Sequence, residues 1–414
     1  MVTRQQTTAL DPAADAAALL YRLGFAILVI LLPAFTLVSR RGTIMLAPIG
    51  VALLLLARLI EASPKDVLLT CSGIGLKIAR SRAGVAAMLL VVWGALSILW
   101  AFDAKEASDK LLTIIQSILI AVLGAAALPA RMKASNLYLT GIGVLVTTAT
   151  AAALLYLRPG MERDIQGAIF ERGLIGLAII VWPATAWLVS RGRKGFAYAL
   201  AAITGAMLVF SGFAMPIAGY AVGVIVYGLV SWREQQGRRI VGWLVLAAFA
   251  GVPFLALVLS PVLPLVLPEG SVLRNGAQAW TTLVLSSPAS LIAGHGLDSL
   301  LAALIAGQAP AGFPKGLPFE IWYELGFIGA ALISATLYYA VKQEPVSAPT
   351  SQDASRLVPG LMACFSAAFV LACLGAGAAF PWWLMTLTVV FITFTGITRG
   401  MFRTRRPKAA NLRG

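Results

Sequence analysis

Two carboxylates, Glu320 and Glu324, stand four residues apart in the segment Gly316 to Gly329, where a Pro/Gly-rich polar interval passes into a long apolar run. At that spacing they share one face of a helix. Carboxylates at the mouth of an apolar helix are costly unless they meet water, a partner or a substrate. They are therefore candidate acids or bases, as are Glu162, Asp164, Glu171 and Asp298. His295 is the single histidine and lies in Gly294-His295-Gly296-Leu297-Asp298-Ser299. An imidazole near a carboxylate can act as a general base at neutral pH; the plainer alternative is a loop histidine with no catalytic role. Arg158, Arg163, Arg172 and Arg274 can hold phosphate through forked hydrogen bonds. One histidine without clustered cysteines argues against zinc. The absence of an Asp-x-Asp pair favours chemistry without a metal ion. The absence of a Gly-Lys-Ser/Thr phosphate loop argues against ATP as the energy source. Group transfer from an already activated donor, such as a lipid diphosphate-linked sugar, fits this set without a cofactor.

The elements that must position these groups are membrane helices. Of the 414 residues 59% are hydrophobic and 12% charged, against about a quarter charged in soluble domains. Apolar runs long enough to cross a hydrocarbon core of about 30 Å recur along the chain. We place twelve, at 22–38, 43–59, 84–101, 111–129, 137–157, 173–190, 195–212, 214–232, 240–260, 320–340, 357–376 and 379–398. They do not alternate as barrel strands do. The expectation is an all-α polytopic membrane protein forming one integral membrane domain over 1–414. The polar N-terminus leads into a retained span, with no cleavable signal peptide. Cys71, Cys364 and Cys373 imply no disulfide framework and are read as small buried hydrophobes.

Three stretches are more than tight turns. Residues 60–83 mix apolar and basic residues, as expected of a cytoplasmic amphipathic segment on the membrane surface. Residues 158–172 form a charged outer loop. Residues 261–319 form a long periplasmic loop, with an amphipathic helix expected near Leu273–Leu285; a loop of that length in a compact fold is usually functional or disordered. Residues 343–355 read as a flexible cytoplasmic linker. Trp93, Trp100, Trp182, Trp187, Trp232 and Trp243 fall near span ends, where interfacial anchoring is the default reading. No internal repeat is visible, which counts against a secondary transporter.

With both termini in the cytoplasm, most of the 32 lysines and arginines fall on cytoplasmic segments, as the positive-inside rule requires. Arg40, Arg41, Lys105, Lys110, Arg158, Arg163, Arg172, Arg274 and Lys315 fall outside. Arg40 and Arg41 read as snorkelling helix-end residues or as a site for a lipid phosphate. The net charge of +15 is thus chiefly an orientation signal and an affinity for anionic inner-leaflet lipid. Nucleic acid is a poor partner, because the basic residues form no single patch interleaved with aromatics.

Four stretches together resemble the O-antigen ligase and polysaccharide polymerase family, in its alphaproteobacterial form, over residues 165–400. Phe170-Glu171-Arg172-Gly173 with Val181-Trp182-Pro183 resembles a helix start bearing Asn-Arg-Gly followed by Trp-Pro. Arg274, Trp280, Ser287-Pro288 and Gly294-His295-Gly296-Leu297-Asp298-Ser299 resemble an outer-loop Arg…Trp…Pro…Gly-x-Gly-Leu-Asp-Ser pattern. Glu320-Ile321-Trp322-Tyr323-Glu324-Leu325-Gly326 resembles Gln-Ile-Trp-x-Glu-Leu-Gly, and Pro381-Trp382-Trp383 a late Trp-Trp pair. The resemblance implies transfer of a glycan from undecaprenyl diphosphate to a lipid A core acceptor, at the periplasmic face of the bacterial inner membrane and without metal. Arg172 and Arg274 would then hold diphosphate or glycan, and Glu324 would orient the helix start.

The chain departs from that pattern where the family carries His-Pro-His-Asn. Here Phe313-Pro314-Lys315-Gly316 stands in its place, with Lys315 at the key histidine and Gly316 at the asparagine. A protonated lysine is no ready base, but it can stabilise a leaving diphosphate. A Ser-Arg often seen after the seventh span is also missing, replaced by Ser211-Gly212-Phe213. Three outcomes stay open: Lys315 acts electrostatically, His295 has taken over, or the chemistry is lost. A cavity lined by Arg172, Arg274, Lys315 and Glu320 is expected of an enzyme. A polymerase of the same fold, a non-catalytic relative and a transporter or scaffold of lipid-linked glycans are the alternatives.

Overall fold

The computed structural model describes residues 12–39, 41–157, 165–310, 312–314, 316–342, 351–376 and 380–400. Arg158, Arg163, Lys315 and Arg40 lie outside the described residues. The helices in chain order are α1 (Pro12–Ala26), α2 (Leu32–Thr36), α3 (Gly42–Glu61), α4 (Pro64–Ala79), α5 (Arg82–Ser97), α6 (Ala104–Ala127), α7 (Ala134–Leu157), α8 (Ile165–Ser190) and α9 (Lys194–Ser211). They continue with α10 (Ala214–Trp232), α11 (Glu234–Leu259), α12 (Leu263–Val266), α13 (Val272–Ser286), α14 (Ser290–Ala293), α15 (Ser299–Ile305), α16 (Leu317–Lys342), α17 (Ser351–Leu371) and α18 (Pro381–Gly400). No strand occurs among the described residues. A π-turn over Ile27–Leu31 joins α1 to α2.

Twelve helices among the described residues are long and apolar enough to cross a membrane, and each coincides with one of the twelve runs read from the sequence. The chain is an all-α polytopic membrane protein. Because the spans alternate in direction, Pro12 and Gly400 lie on one face. The α5–α6 turn, the α9–α10 turn and the interval between α11 and α16 lie on the other. We call the latter the loop face. Its long interval is folded into α12, α13, α14 and α15, and α13 covers the expected amphipathic helix.

Helices in lipid gain little from the hydrophobic effect and associate through close packing, which small residues permit. Gly219 lies against Leu371 of α17, and Gly223 against Trp182 of α8. α8 is the central span, packed by α7, α9, α10, α17 and α18. Two of the tryptophans read as interfacial anchors belong to this centre instead. Trp182 and Trp187 are fully buried. Trp182 stacks on Tyr220 and Tyr227, and Trp187 meets the edge of Tyr138. They differ from belt residues because the middle of α8, Leu174 to Leu188, is enclosed by neighbouring helices. Trp100, Trp232 and Trp243 are exposed, as belt residues should be.

α16 packs between α5 and α11. Pro253 inside α11 has no N–H to donate one turn back. The carbonyl it leaves, that of Phe249, accepts a bond of 2.7 Å from the Trp322 indole of α16. The Trp280 indole of α13 donates to the Pro253 carbonyl at 2.9 Å. The two indole bonds around Pro253 thereby tie the start of α16 and the loop-face helix α13 to the same span.

Candidate functional site

The site is built on a break in α16. Gly326 has φ 65° and ψ −161°, a backbone region open essentially to glycine alone. The break takes the carbonyls of Tyr323, Glu324 and Leu325 out of the helical ladder, and buried carbonyls must find donors elsewhere. Each finds one. The His295 N–H donates to Tyr323 at 2.9 Å and the Gly296 N–H to Glu324 at 2.9 Å. The Trp93 indole of α5 donates to Leu325 at 3.0 Å.

The segment 294–299 can lie this close because of its glycines. Gly294 has φ 77°, and a Cβ there would collide with the Glu324 carbonyl. Gly296 has φ 96° and abuts Ala101 at the α5–α6 turn. Ser97 accepts from the Leu297 N–H at 3.2 Å, and Ser299 accepts from the Phe102 N–H at 3.2 Å. Ser299 in turn donates its hydroxyl proton to the His295 carbonyl. Asp298, in the left-handed region at φ 59°, turns the chain into α15; aspartate tolerates that conformation better than most residues.

The charged centre lies on the same junction. Lys110, in the second turn of α6, is 3.2 Å from Asp298, 3.3 Å from Glu320 and 3.0 Å from Glu324. Its ammonium donates to Glu320 and to both oxygens of Glu324, and Asp298 faces it as an ion pair. Glu324 is 2% exposed, so its charge is tolerated there only with such a partner. The expected shared face of Glu320 and Glu324 is present, and it points at Lys110. Lys110 itself went unnoticed in the sequence, where it is one basic residue near the start of an apolar run. Only its reach across to Glu320 and Glu324 of α16 and to Asp298 gives it a role.

His295 does not use Asp298 as its orienting carboxylate. Its Nδ1 lies 3.1 Å from the Tyr323 carbonyl, and its ring stacks on Tyr323 with centroids 4.2 Å apart and planes at 11°. A carbonyl only accepts, so Nδ1 carries the proton of the neutral imidazole and Nε2 is left with its lone pair. Phe313 meets the edge of Tyr323 and of Trp280, which walls this side of the imidazole with aromatics.

The two candidate arginines among the described residues, Arg172 and Arg274, sit on different helices. Arg172 of α8 lies 5.7 Å over the Trp382 ring. It lines a narrow cleft with Thr36, Ser39, Thr43 and Thr386, whose walls include neither Arg274 nor Glu320. Arg274 of α13 donates to the Leu267 carbonyl at 3.3 Å and faces Glu269 at 3.8 Å, both within its own loop. Glu171 is half-buried on α8 beside Arg172. The narrow cleft at Arg172 does not reach Arg274 or Glu320, and Lys315, the fourth residue of the expected cavity, lies outside the described residues. Gly316, where the resemblance expects asparagine, is pressed against the Cys373 carbonyl with no room for a side chain. That departure is built into the fold. A larger apolar cleft of about 510 Å³ lies between α16, α17 and α18, from Leu317 to Phe394.

No protein-family model matches this chain, and no curated protein is similar to it. The class defined by fold and site is a helical membrane protein with a partly buried lysine–carboxylate cluster and one histidine on its loop face.

Proposed function

We propose that the protein transfers a glycan from undecaprenyl diphosphate to a lipid A core acceptor at the periplasmic face of the bacterial inner membrane, with the loop face as that face. In this reading an acceptor hydroxyl attacks the anomeric carbon of the lipid-linked sugar. The bond from that carbon to the diphosphate oxygen breaks, and the diphosphate leaves on the polyprenol. The hydroxyl proton goes to His295 Nε2. The observation that carries the reading is the fixed His295 imidazole, with Nδ1–H committed to the Tyr323 carbonyl and Nε2 free of that bond. A general base needs this unprotonated nitrogen at a set angle. Arg172, Arg158, Arg163 and Arg274 are the cations offered to diphosphate or glycan, and Lys315 to the leaving group. Glu320 and Glu324, held by Lys110, keep the helix start in place. Membrane lipids surround the spans. A polymerase differs only in its acceptor.

The test is glycan display on lipopolysaccharide in a strain deleted for this gene and complemented with wild type, His295→Ala, Lys315→Ala or Arg172→Ala. The expected result is loss of display in the deletion strain and with His295→Ala, and reduced display with Arg172→Ala. Normal display in the deletion strain removes the ligase assignment.

One observation favours a second reading. A broken span beside buried ionisable groups is how transporters build midplane sites, and α16 breaks at Gly326 beside Lys110 and Glu324. A transporter would move a lipid-linked glycan across the membrane without forming a new glycosidic bond. Purified protein in proteoliposomes, assayed for both products, separates the two.

A further inference from the structure

α4 has sixteen residues, of which Val67 alone is buried against the protein. Leu68, Leu69 and Leu76 are 68%, 69% and 51% exposed. They share their side of the helix with Lys65 and Arg80; Lys77 borders it, and Arg82 opens α5. Asp66, the acidic residue in its first turn, is bound to Ser63 at the N-terminus. Between α4 and the start of α5 lies an open cleft of about 360 Å³ lined by Gly73, Leu76, Lys77, Arg80 and Ser81. These residues recur at three- and four-residue spacing, so the cleft is one helix face with a notch where Gly73 has no side chain. The neighbouring helices α3, α5 and α6 are membrane spans.

We infer that α4 and the α4–α5 corner bind anionic phospholipid, with Leu68, Leu69 and Leu76 in the acyl region and a headgroup phosphate in the Gly73 notch between Lys77 and Arg80. An apolar face bounded by cations is the pattern that partitions into an anionic interface. A second copy of the chain fits poorly, because a twofold contact through this face would bring Lys77 and Arg80 against their own kind.

The experiment uses the full chain in nanodiscs of phosphatidylcholine alone or mixed with phosphatidylglycerol. Hydrogen exchange over 64–81 and retention of phosphatidylglycerol in native mass spectrometry are read. Expected are stronger protection of 64–81 in the mixed discs and a phosphatidylglycerol preference weakened about fivefold by Lys77→Gln or Arg80→Gln, as one surface charge contributes about 1 kcal/mol. Gly73→Leu puts a side chain in the notch at a position where an added Cβ meets nothing within 4 Å. It should abolish retention while leaving thermal stability unchanged. Equal protection in both discs would overturn the headgroup site in favour of apolar embedding alone. Protection that requires two chains per disc would overturn it in favour of self-association.

Discussion

At the scale of single residues, the fate of Lys110 decides the site. Three carboxylates share its ammonium, and Glu324 is shut away from water. Lys110→Met should cost about 3–5 kcal/mol, the usual price of stranding one partner of a buried ion pair. Unfolding of the detergent-solubilised protein, followed by tryptophan fluorescence, checks this. Adding Glu324→Gln to Lys110→Met should recover most of the loss, and no recovery would mean that Lys110 acts through packing rather than charge. Trp93→Phe tests the carbonyl accounting separately. It leaves the Leu325 carbonyl without its indole donor, and an unsatisfied buried carbonyl costs about 1–3 kcal/mol. Glu320, Glu324 and His295 stand out in the sequence as candidates because their types are rare in apolar sequence. Lys110 and Trp93 do not, since each acts on a residue more than two hundred positions away.

At the scale of elements, the break in α16 is the organising feature. Gly326→Ala would force a side chain into a backbone region costing about 1–3 kcal/mol. Its Cβ would also lie 2.5 Å from the Ile292 carbonyl and 2.6 Å from the Gly294 nitrogen. The expected outcome is an undocked 290–299 segment, seen as faster hydrogen exchange there while α8 exchanges as before. Gly316→Asn, which restores the residue suggested by the resemblance, should destabilise the junction of α16 with the end of α17 instead of improving transfer. Glycan display and thermal stability of that variant check both halves of the statement. Spans were legible because hydrophobic length suffices to find them. The break was not: Gly326 sits inside an apolar run like many close-packing glycines, and only its unusual φ and ψ distinguish it.

At the scale of the whole molecule, twelve spans put Pro12 and Gly400 on one side, with the 261–316 interval on the other. The distribution of basic residues predicts that the first side is cytoplasmic. Reporter fusions after Gly414 and after Ser271 should be active in the cytoplasm and periplasm respectively; the reverse pattern would move His295 and Lys110 to the cytoplasmic side and end the lipid-diphosphate proposal. The tryptophans show what composition leaves hidden. Which spans form the middle of the bundle depends on the order of helix neighbours, so Trp182 and Trp187 gave no sign in the sequence of their central place.

The bent span also bears on how the protein is made. Hydrocarbon offers no hydrogen-bond donors, so the carbonyls of Tyr323, Glu324 and Leu325 cannot enter the bilayer bare. α16 must therefore insert straight, or insert with the 294–296 segment already on it. Trp93 emerges from the ribosome long before its acceptor at Leu325, and it has to wait for most of the remaining spans. The bend, the histidine and the lysine cluster are then completed together and late, so that the candidate site is absent from a nascent chain until α5, α6 and α16 have met.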